Sequence, residues 1–545
     1  MIDPEHVKYI RKRGEIIPDD GKHLEELIKD PVWRIFNLYT ILTKPGDNGI
    51  RQKIRFLPND AQCEVMYWQF VLDRRFLNIL KARQLGFTTY FQIYGLDKAL
   101  NESNANIKFV SQTDDVAKSA FSEKAMLAYQ ELSPMYVKWC EEQHGTPLAK
   151  SNQSQIEFNH GWGLYTYVSL RGGTASMVHI SELGPMAAEN MKRAEEVFAG
   201  AMETASNDAD VVIESTFKGG QYGIYYENLK KSYDRGEESR PKGQFWFMFF
   251  PWYEDKTYRI DDPTQEIKPA TEKYFNELEA KVGFKFDHGQ KLWWQTKEDR
   301  LGSLMFQENP STPEEAMTAP VEGAIYADIL VQLQKDGRQC DLAYNRSYPI
   351  YAGWDIGKRD PTSIWLVQLI DGWIHWIHHF HGSGEEPEYY ADLIRDTELP
   401  IHTHLLPHDA YQERAGGSWH GILKKYGVKN MKRLDKTNDR WIGIRALQGM
   451  LKRSKFDIKN TEYGFDCLMN YRSEIDIKNG IMKAIPVHDW ASDSADAARS
   501  IAEGIITKKI KELSYEQIER KNKAVMWRRQ ESVLNNGFRN SKWWQ

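Results

Sequence analysis

The stretch LKARQLGFTTYF, residues 80 to 91, constrains this chain more than any other. It continues the apolar run FLNIL (76–80), turns at Gly86 and enters a segment of helical character from about Thr88. A strand that meets a glycine turn and then a helix aims backbone N–H groups at one point, and the helix dipole adds positive potential there. That is the local architecture of a phosphate-binding loop, here formed by Lys81, Ala82, Arg83, Gln84, Leu85, Gly86, Phe87, Thr88 and Thr89. The position at which such loops carry lysine holds Phe87, and the nearest cations, Lys81 and Arg83, stand before the glycine. Two readings follow: a nucleotide site whose charge reaches back from the near side, with Thr88 offering its hydroxyl to Mg2+, or a plain strand–helix turn with two solvated cations.

The surroundings of the loop favour an α/β architecture. From about 51 to 250, short apolar runs such as IKFVS (107–111), MVHIS (177–181) and VVIES (211–215) alternate with longer amphipathic stretches, which predicts α/β units around a largely parallel sheet. Residues 251 to 320 are richer in charge and helix formers and end in PSTPEEAMTAP, whose prolines and small residues mark a boundary. A second strand-rich region opens near 349 with YPIYAGWDIG and continues through TSIWLVQLIDGWIHWIHHF, an alternation that predicts an antiparallel hairpin turning at Asp371-Gly372. A helix is expected after 493. With 545 residues the chain exceeds a single core.

Several function classes are disfavoured. There is no run of eighteen apolar residues, so no membrane span is expected, and the charged start MIDPEHVKYIRKRGE lacks a secretory core, which predicts a cytoplasmic protein. Cys63, Cys140, Cys340 and Cys467 are far apart and form no CxxC pair, which argues against disulfides and cysteine-based zinc. A net charge of -5 gives no global nucleic-acid signature, although a basic groove can sit inside an acidic total.

Other stretches bear on the loop. MVHISELG ends a strand in Ser181-Glu182, and a carboxylate at a strand tip can orient a water for attack on a γ-phosphate; a surface glutamate is the alternative. VVIESTFKGG ends in Ser215-Thr216, which could sense the γ-phosphate or cap the next turn. Gln62 in RFLPNDAQ could read an adenine edge or merely start a helix. Arg171 in SLRGGT could stabilise charge at the γ-phosphate, in its own subunit or a neighbour's, or support a turn.

Downstream, Asp355 lies in the strand-like YAGWDIGKRDPTSIWLV, Asp409 ends THLLPHDA, and VHDWASDSADAARS carries Asp489, Asp493 and Asp496 where a helix starts. Carboxylates at strand ends are costly unless they meet cations. Three of them from distant segments can gather two Mg2+ or Mn2+ ions for phosphodiester cleavage, whereas the alternative is a turn former, a strand cap and a helix cap. His378, His379 and His381 read as a hairpin edge with exposed imidazoles rather than a metal cluster.

Together, KARQLGFTT, HISELG, ESTFKGG and PSTPEEA resemble the large terminase subunit of tailed bacteriophages, over about 50 to 510. The resemblance implies an N-terminal P-loop ATPase domain with a largely parallel sheet, followed by an RNase H-like nuclease domain with a mixed sheet. It divides the chain into a helical extension (1–50), the ATPase (51–325), a linker (326–345), the endonuclease (346–510) and a basic tail (511–545). Lys81 and Arg83 match the family's early basic residue, and Asp355, Asp409 and Asp496 match its three acidic metal positions. Asp493, where many relatives carry a histidine or similar polar residue, would assist the metal or only cap the helix, and Asp360 and Thr362 could lie near the metals. Ser181 departs from the aspartate that many members carry, leaving Mg2+ to Thr88, phosphate oxygens and water, with Ser181 as a further candidate.

The implied activity is ATP-driven translocation of double-stranded viral DNA into a procapsid, with cutting of concatemers. The implied cofactors are ATP and Mg2+, with Mn2+ an option at the nuclease. The implied partners are the portal protein, a small terminase subunit and further copies in a ring, in the host cytoplasm and without a membrane. The tail, with Trp527, Trp543 and Trp544, could dock on the portal. Rival readings are a helicase-like or repair ATPase with an attached nuclease, and a non-enzymatic capsid or portal component.

Overall fold

The apolar runs of the first half become the middle of an eight-stranded sheet. Its order is Trp246–Phe250, Phe76–Lys81, Ala205–Ser215, Ala175–Ser181, Ile107–Val110, Gly163–Tyr167, Gln155–Phe158, Leu148–Asn152. The first six run parallel and the last two turn antiparallel. Every residue of Phe76–Lys81 is buried, as a strand covered on both faces requires. The register sets Leu80 beside Ser215 and Ser181 beside Glu214, so three strands present their C-terminal ends side by side. In open α/β sheets that end is where ligands bind.

In the computed structural model the chain divides into two units, Met1–Pro320 and Val321–Gln545. The structure describes residues 2–44, 49–159, 161–168, 172–218, 220, 223–318, 323–357, 361–413, 417–435, 439–476 and 481–511. The expected tail 511–545 lies, beyond Lys511, outside the described residues. Residues 1–50 are more than an extension. The helices Pro4–Gly14, Gly21–Leu27 and Pro31–Asn37 each begin at an aspartate whose side chain caps the first turn. They bury Val7, Ile10, Ile35 and Phe36 in the same core as the sheet. Arg34 fastens them through two bonds to buried Asp97, at 2.8 and 2.7 Å.

The second unit holds a seven-stranded mixed sheet, in the order Gln339–Cys340, Ser454–Asp457, Trp373–Gly382, Thr362–Ile370, Ile350–Asp355, Ile401–Leu406, Met431–Arg433. Three strands run antiparallel in sequence, and Ile350–Asp355 then pairs in parallel with Ile401–Leu406. The hairpin turns where expected: Ile370 pairs with Trp373 around Asp371 (φ 48°) and Gly372 (φ 85°), the left-handed pair that a two-residue turn requires. Residues 326–345, expected as a linker, instead carry the helix Ala327–Lys335, whose Leu330 and Leu333 are buried in this unit's core.

Helix Ser492–Ile506 lies against the central strand. A Cβ on Gly353 would come within 2.7 Å of the Ala497 carbonyl oxygen and of Ile501, so only glycine permits this approach. Trp365 Nε1 donates to Ser494 O at 2.8 Å and Ser500 Oγ to Trp354 O at 3.1 Å, pinning the helix at two levels. Among the described residues no helix is long and apolar enough to cross a membrane, and the four cysteines are free thiols.

Candidate functional site

The loop after Phe76–Lys81 folds as a tight turn with Gln84 at φ 65° and Gly86 at φ 82°, and helix Phe87–Asn101 starts at once. Phe87, where a lysine was the point of comparison, is a core residue; its ring lies 4.8 Å from that of Phe250. The cation comes from the strand end. Lys81 is buried and its Nζ lies 2.9 Å from Glu182 Oε1 and 3.2 Å from Glu214 Oε2. Burial opposes its charge, but the two carboxylates outweigh that and hold the ammonium above its ordinary pKa.

Glu182 joins the loop to the neighbouring strand. Its other oxygen, Oε2, accepts from Thr216 N at 3.1 Å, Thr216 Oγ1 at 3.2 Å and Ser215 Oγ at 3.4 Å. Glu182 sits in the left-handed region (φ 59°, ψ 51°) at the start of helix Leu183–Glu189, a backbone state that costs a non-glycine residue about 1–3 kcal/mol. Its backbone N–H donates a hydrogen bond to Glu214 O at 2.8 Å and holds it there. The side chain remains 30% exposed, so water can reach it. Ser215 Oγ also accepts from Gly184 N at 2.9 Å, so Ser215 and Thr216 touch the first turn of that helix as well as the carboxylate.

Two contributors escaped the sequence reading. Glu214 is fully buried, and its Oε1 accepts from Thr88 Oγ1 at 2.7 Å and from Ser181 Oγ at 2.8 Å. Burial would raise it, but Lys81 first and then His179 and Thr88 bring it down to about 2. Its signal was a lone acid inside the apolar run VVIES. Lys124, on the π-helical turn Ser122–Met126, is lowered by burial while Glu214 pulls it back up, which sets a second cation near this carboxylate. Such turns concentrate at functional sites.

Other expected residues behave differently. Arg83 is exposed and engaged by Glu308 Oε2 at 2.9 Å, so Lys81 alone of the two stands at the carboxylates. Gln62 has both ends of its amide in use: Oε1 accepts from Asn59 N and Nε2 donates to Gly86 O, each at 2.9 Å. It therefore clamps the loop to helix Asp60–Phe70 in place of facing a base. A cavity of about 280 Å3, lined by Arg11, Asn59, Leu85, Pro251 and Lys256 among others, opens beside the loop. Arg171 lies outside the described residues. Hard oxygen donors from Thr88, Ser181, Glu182 and Glu214 beside a helix start suit Mg2+ and a phosphate chain.

In the second unit, Asp355 ends its strand, Asp409 sits in the turn His408–Tyr411 just after Ile401–Leu406, and Asp493 and Asp496 lie in the first turns of Ser492–Ile506. The other three act on Asp355: burial, then Asp496, Asp493 and Asp409, push its carboxyl well above the usual carboxylate range, against the pull of Arg499. Asp496 Oδ1 lies 3.3 Å from Arg499 Nη2. Asp409 Oδ1 is buried with no hydrogen-bond partner among the described residues, an orphaned oxygen of the kind a cation satisfies. No three such side chains among the described residues converge as a finished metal centre. The carboxylates suit a divalent ion in chemistry, and Asp409 Oδ1 is an oxygen among them that such an ion would satisfy.

Asp360 lies outside the described residues, and Thr362 is a buried start of its strand. Asp489 pairs with Arg472 at 2.8 Å. Of the histidines, His379 is not exposed as expected. It is buried, lies 2.9 Å from Ser363 Oγ, and burial lowers it to about 3, which keeps it neutral.

No family model matches this sequence and no curated protein matches it significantly. Solved structures do match. The large terminase of bacteriophage HK97 aligns over 86% of this chain and 98% of its own, at 11% identity and a TM-score of 0.38. The large terminase of a thermophilic bacteriophage, in complex with ATP-γ-S, aligns over 82% and 98%, at 16% identity and a TM-score of 0.28. The nuclease domain of the bacteriophage SPP1 large terminase, with bound Mn, covers 28% of this chain and 85% of its own, at 19% identity and a TM-score of 0.24. The chain is similar to large terminases of several bacteriophages. At these identities and scores, the chemistry has to be argued from this chain's own residues.

Proposed function

We propose that this chain is a DNA-packaging motor with its own endonuclease: an ATPase in the first unit and a metal-dependent nuclease in the second. The observation that carries the reading is the double engagement of Glu182, bound through one oxygen to Lys81 and through the other to Thr216.

A triphosphate entering the loop gives Lys81 phosphate oxygens in exchange for its carboxylates. Glu182, freed from that ion pair and partly open to water, orients the attacking water and takes its proton as the γ-phosphoryl leaves. Lys81 and the amides at the start of helix Phe87–Asn101 carry the developing charge. Mg2+ held at Thr88 would neutralise the β- and γ-oxygens. Thr216 reads the event because it holds the same carboxylate, and the shift of its strand end is the step passed on to bound DNA. Arg171 remains a proposed further cation at the γ-phosphate, from this subunit or a neighbour.

In the second unit, Asp355, Asp409 and Asp496 would hold two divalent ions, with Asp493 beside them; those ions supply an activated water and stabilise the leaving 3′ oxygen. DNA contacts would go mainly to phosphates, because a motor has to accept any sequence. The portal protein, a small terminase subunit and further copies in a ring complete the proposed assembly, in the host cytoplasm.

The test compares purified wild type with Lys81→Ala, Glu182→Gln and Asp355→Asn, scoring ATP hydrolysis and Mn2+-dependent plasmid degradation. The first two should lose hydrolysis and the third degradation. Equal, negligible rates in all four proteins would leave a structural component in place of a motor.

A further inference from the structure

The aspartate that usually follows the apolar strand before the catalytic glutamate is absent here; Ser181 stands in its place. We infer that Glu214, from the adjacent strand, supplies the missing carboxylate and organises the divalent cation of the bound nucleotide. The inference rests on the nucleotide reading of the first unit.

The sheet register carries the argument. Ser181 and Glu214 are directly paired residues of parallel strands, so Glu214 starts at the level of residue 181, one strand over. Neighbouring strands lie about 4.8 Å apart, and the longer side chain of glutamate spans part of that gap. Its Oε1 arrives between two hydroxyls, 2.7 Å from Thr88 Oγ1 and 2.8 Å from Ser181 Oγ, which are themselves 3.5 Å apart. The Thr88 proton is thereby committed to Glu214, and the Thr88 oxygen keeps its lone pairs for a cation. Oε2 faces the Lys81 ammonium at 3.2 Å. When Lys81 moves to phosphate, that oxygen loses its positive neighbour, and a hydrated divalent ion restores it.

A fully buried carboxylate with such partners is not a surface accident. A pairing with Lys81 would need only one of its oxygens; the other gathers two hydroxyls, with His179 Nε2 at 3.5 Å, and so places hydroxyl oxygens where a cation can use them. Glu214 is thus a positioning residue: it acts on the cation through Thr88 and through metal-bound water.

The experiment measures AMP-PNP affinity by calorimetry on the full chain, with EDTA and then with Mn2+, and reads the ratio of the two. Glu214→Gln should reduce that ratio by about 10- to 100-fold, the usual effect of removing a residue that orients a metal ligand. The double variant Ser181→Asp/Glu214→Gln returns one carboxylate to the usual strand and should restore it. Thermal unfolding checks each protein; if Glu214→Gln does not fold, the double variant decides, since it keeps the acid count. A Glu214→Gln ratio equal to that of wild type overturns the inference and leaves the nucleotide reading standing. So does a folded double variant that binds AMP-PNP in EDTA and gains nothing from Mn2+. Failure of wild type to bind AMP-PNP in either condition overturns both.

Discussion

The two units handle negative charge in opposite ways. In the first, the carboxylates of Glu182 and Glu214 flank an internal cation, Lys81, and the buried one is held low, at about 2. In the second, Asp496, Asp493 and Asp409 all act on Asp355, with Arg499 as the opposing cation, and Asp355 is forced up. One centre carries its countercharge in Lys81; the other holds more acid than Arg499 balances, and under the proposed reading metal ions would supply the rest. By that reading, Lys81 holds the place that a nucleotide would take, whereas the second site would gain its balancing charge only on binding ions.

The contrast breaks most visibly if the centres are not independent. Glu182→Gln should reduce ATP turnover by about 10²- to 10⁴-fold, the usual contribution of a positioned base, with plasmid cleavage intact, and Asp355→Asn should do the reverse; parallel assays of both activities on both variants check this. Loss of both activities from either change would join what the comparison separates.

Stability should move in opposite directions too. Lys81→Ala takes from buried Glu214 the cation in contact with it, leaving Lys124 as the nearby one, and should destabilise the first unit by about 3–5 kcal/mol in denaturant unfolding. Asp355→Asn in EDTA removes repulsion and should raise the melting temperature of the second unit by about 2–4 °C, the shift that 1 kcal/mol produces in a unit of this size.

Acid should separate them again. Glu214 is depressed from an ordinary 4.5 to about 2, so its stabilisation is present above 4.5 and lost as pH falls through that window. Asp355 is raised above an ordinary 3.8, so the metal-free second unit loses stability as pH climbs from 3.8 through its raised value. Melting curves between pH 3 and 8 in EDTA, with Asp355→Asn flattening the second trend, read both signs. The smallest effect concerns Gln62: Gln62→Ala should cost about 0.5–2 kcal/mol as a lost capping partner, with the preference for ATP over GTP unchanged in competition binding.

How far the residues alone revealed this arrangement depended on whether the signal was local. The strands around FLNIL and VVIES and the hairpin at Asp371-Gly372 follow from periodicity and turn chemistry, which are properties of neighbours in sequence, whereas the order of the acidic positions came from the resemblance to large terminases. Lys81 was legible because it sits at a strand end beside the loop. Arg83 was not separable from it, since its engagement depends on Glu308, more than two hundred residues away. Glu214 stayed hidden because its meaning comes from cross-strand pairing with Ser181, and register is not written in either strand alone. Gln62 looked available because a capping box and a base reader share the same amide.

Gly353 has a consequence for spacing. The gap between a strand carboxylate at 355 and helix carboxylates at 493 and 496 is set by how closely that helix rests on a position with no side chain. A single added methyl, as in Gly353→Ala, would lift the helix and widen the span between acids without altering any of them. The spacing of the proposed metal ligands, and with it the ion size and cutting proposed for the second unit, would therefore be open to change through a residue outside the acidic set.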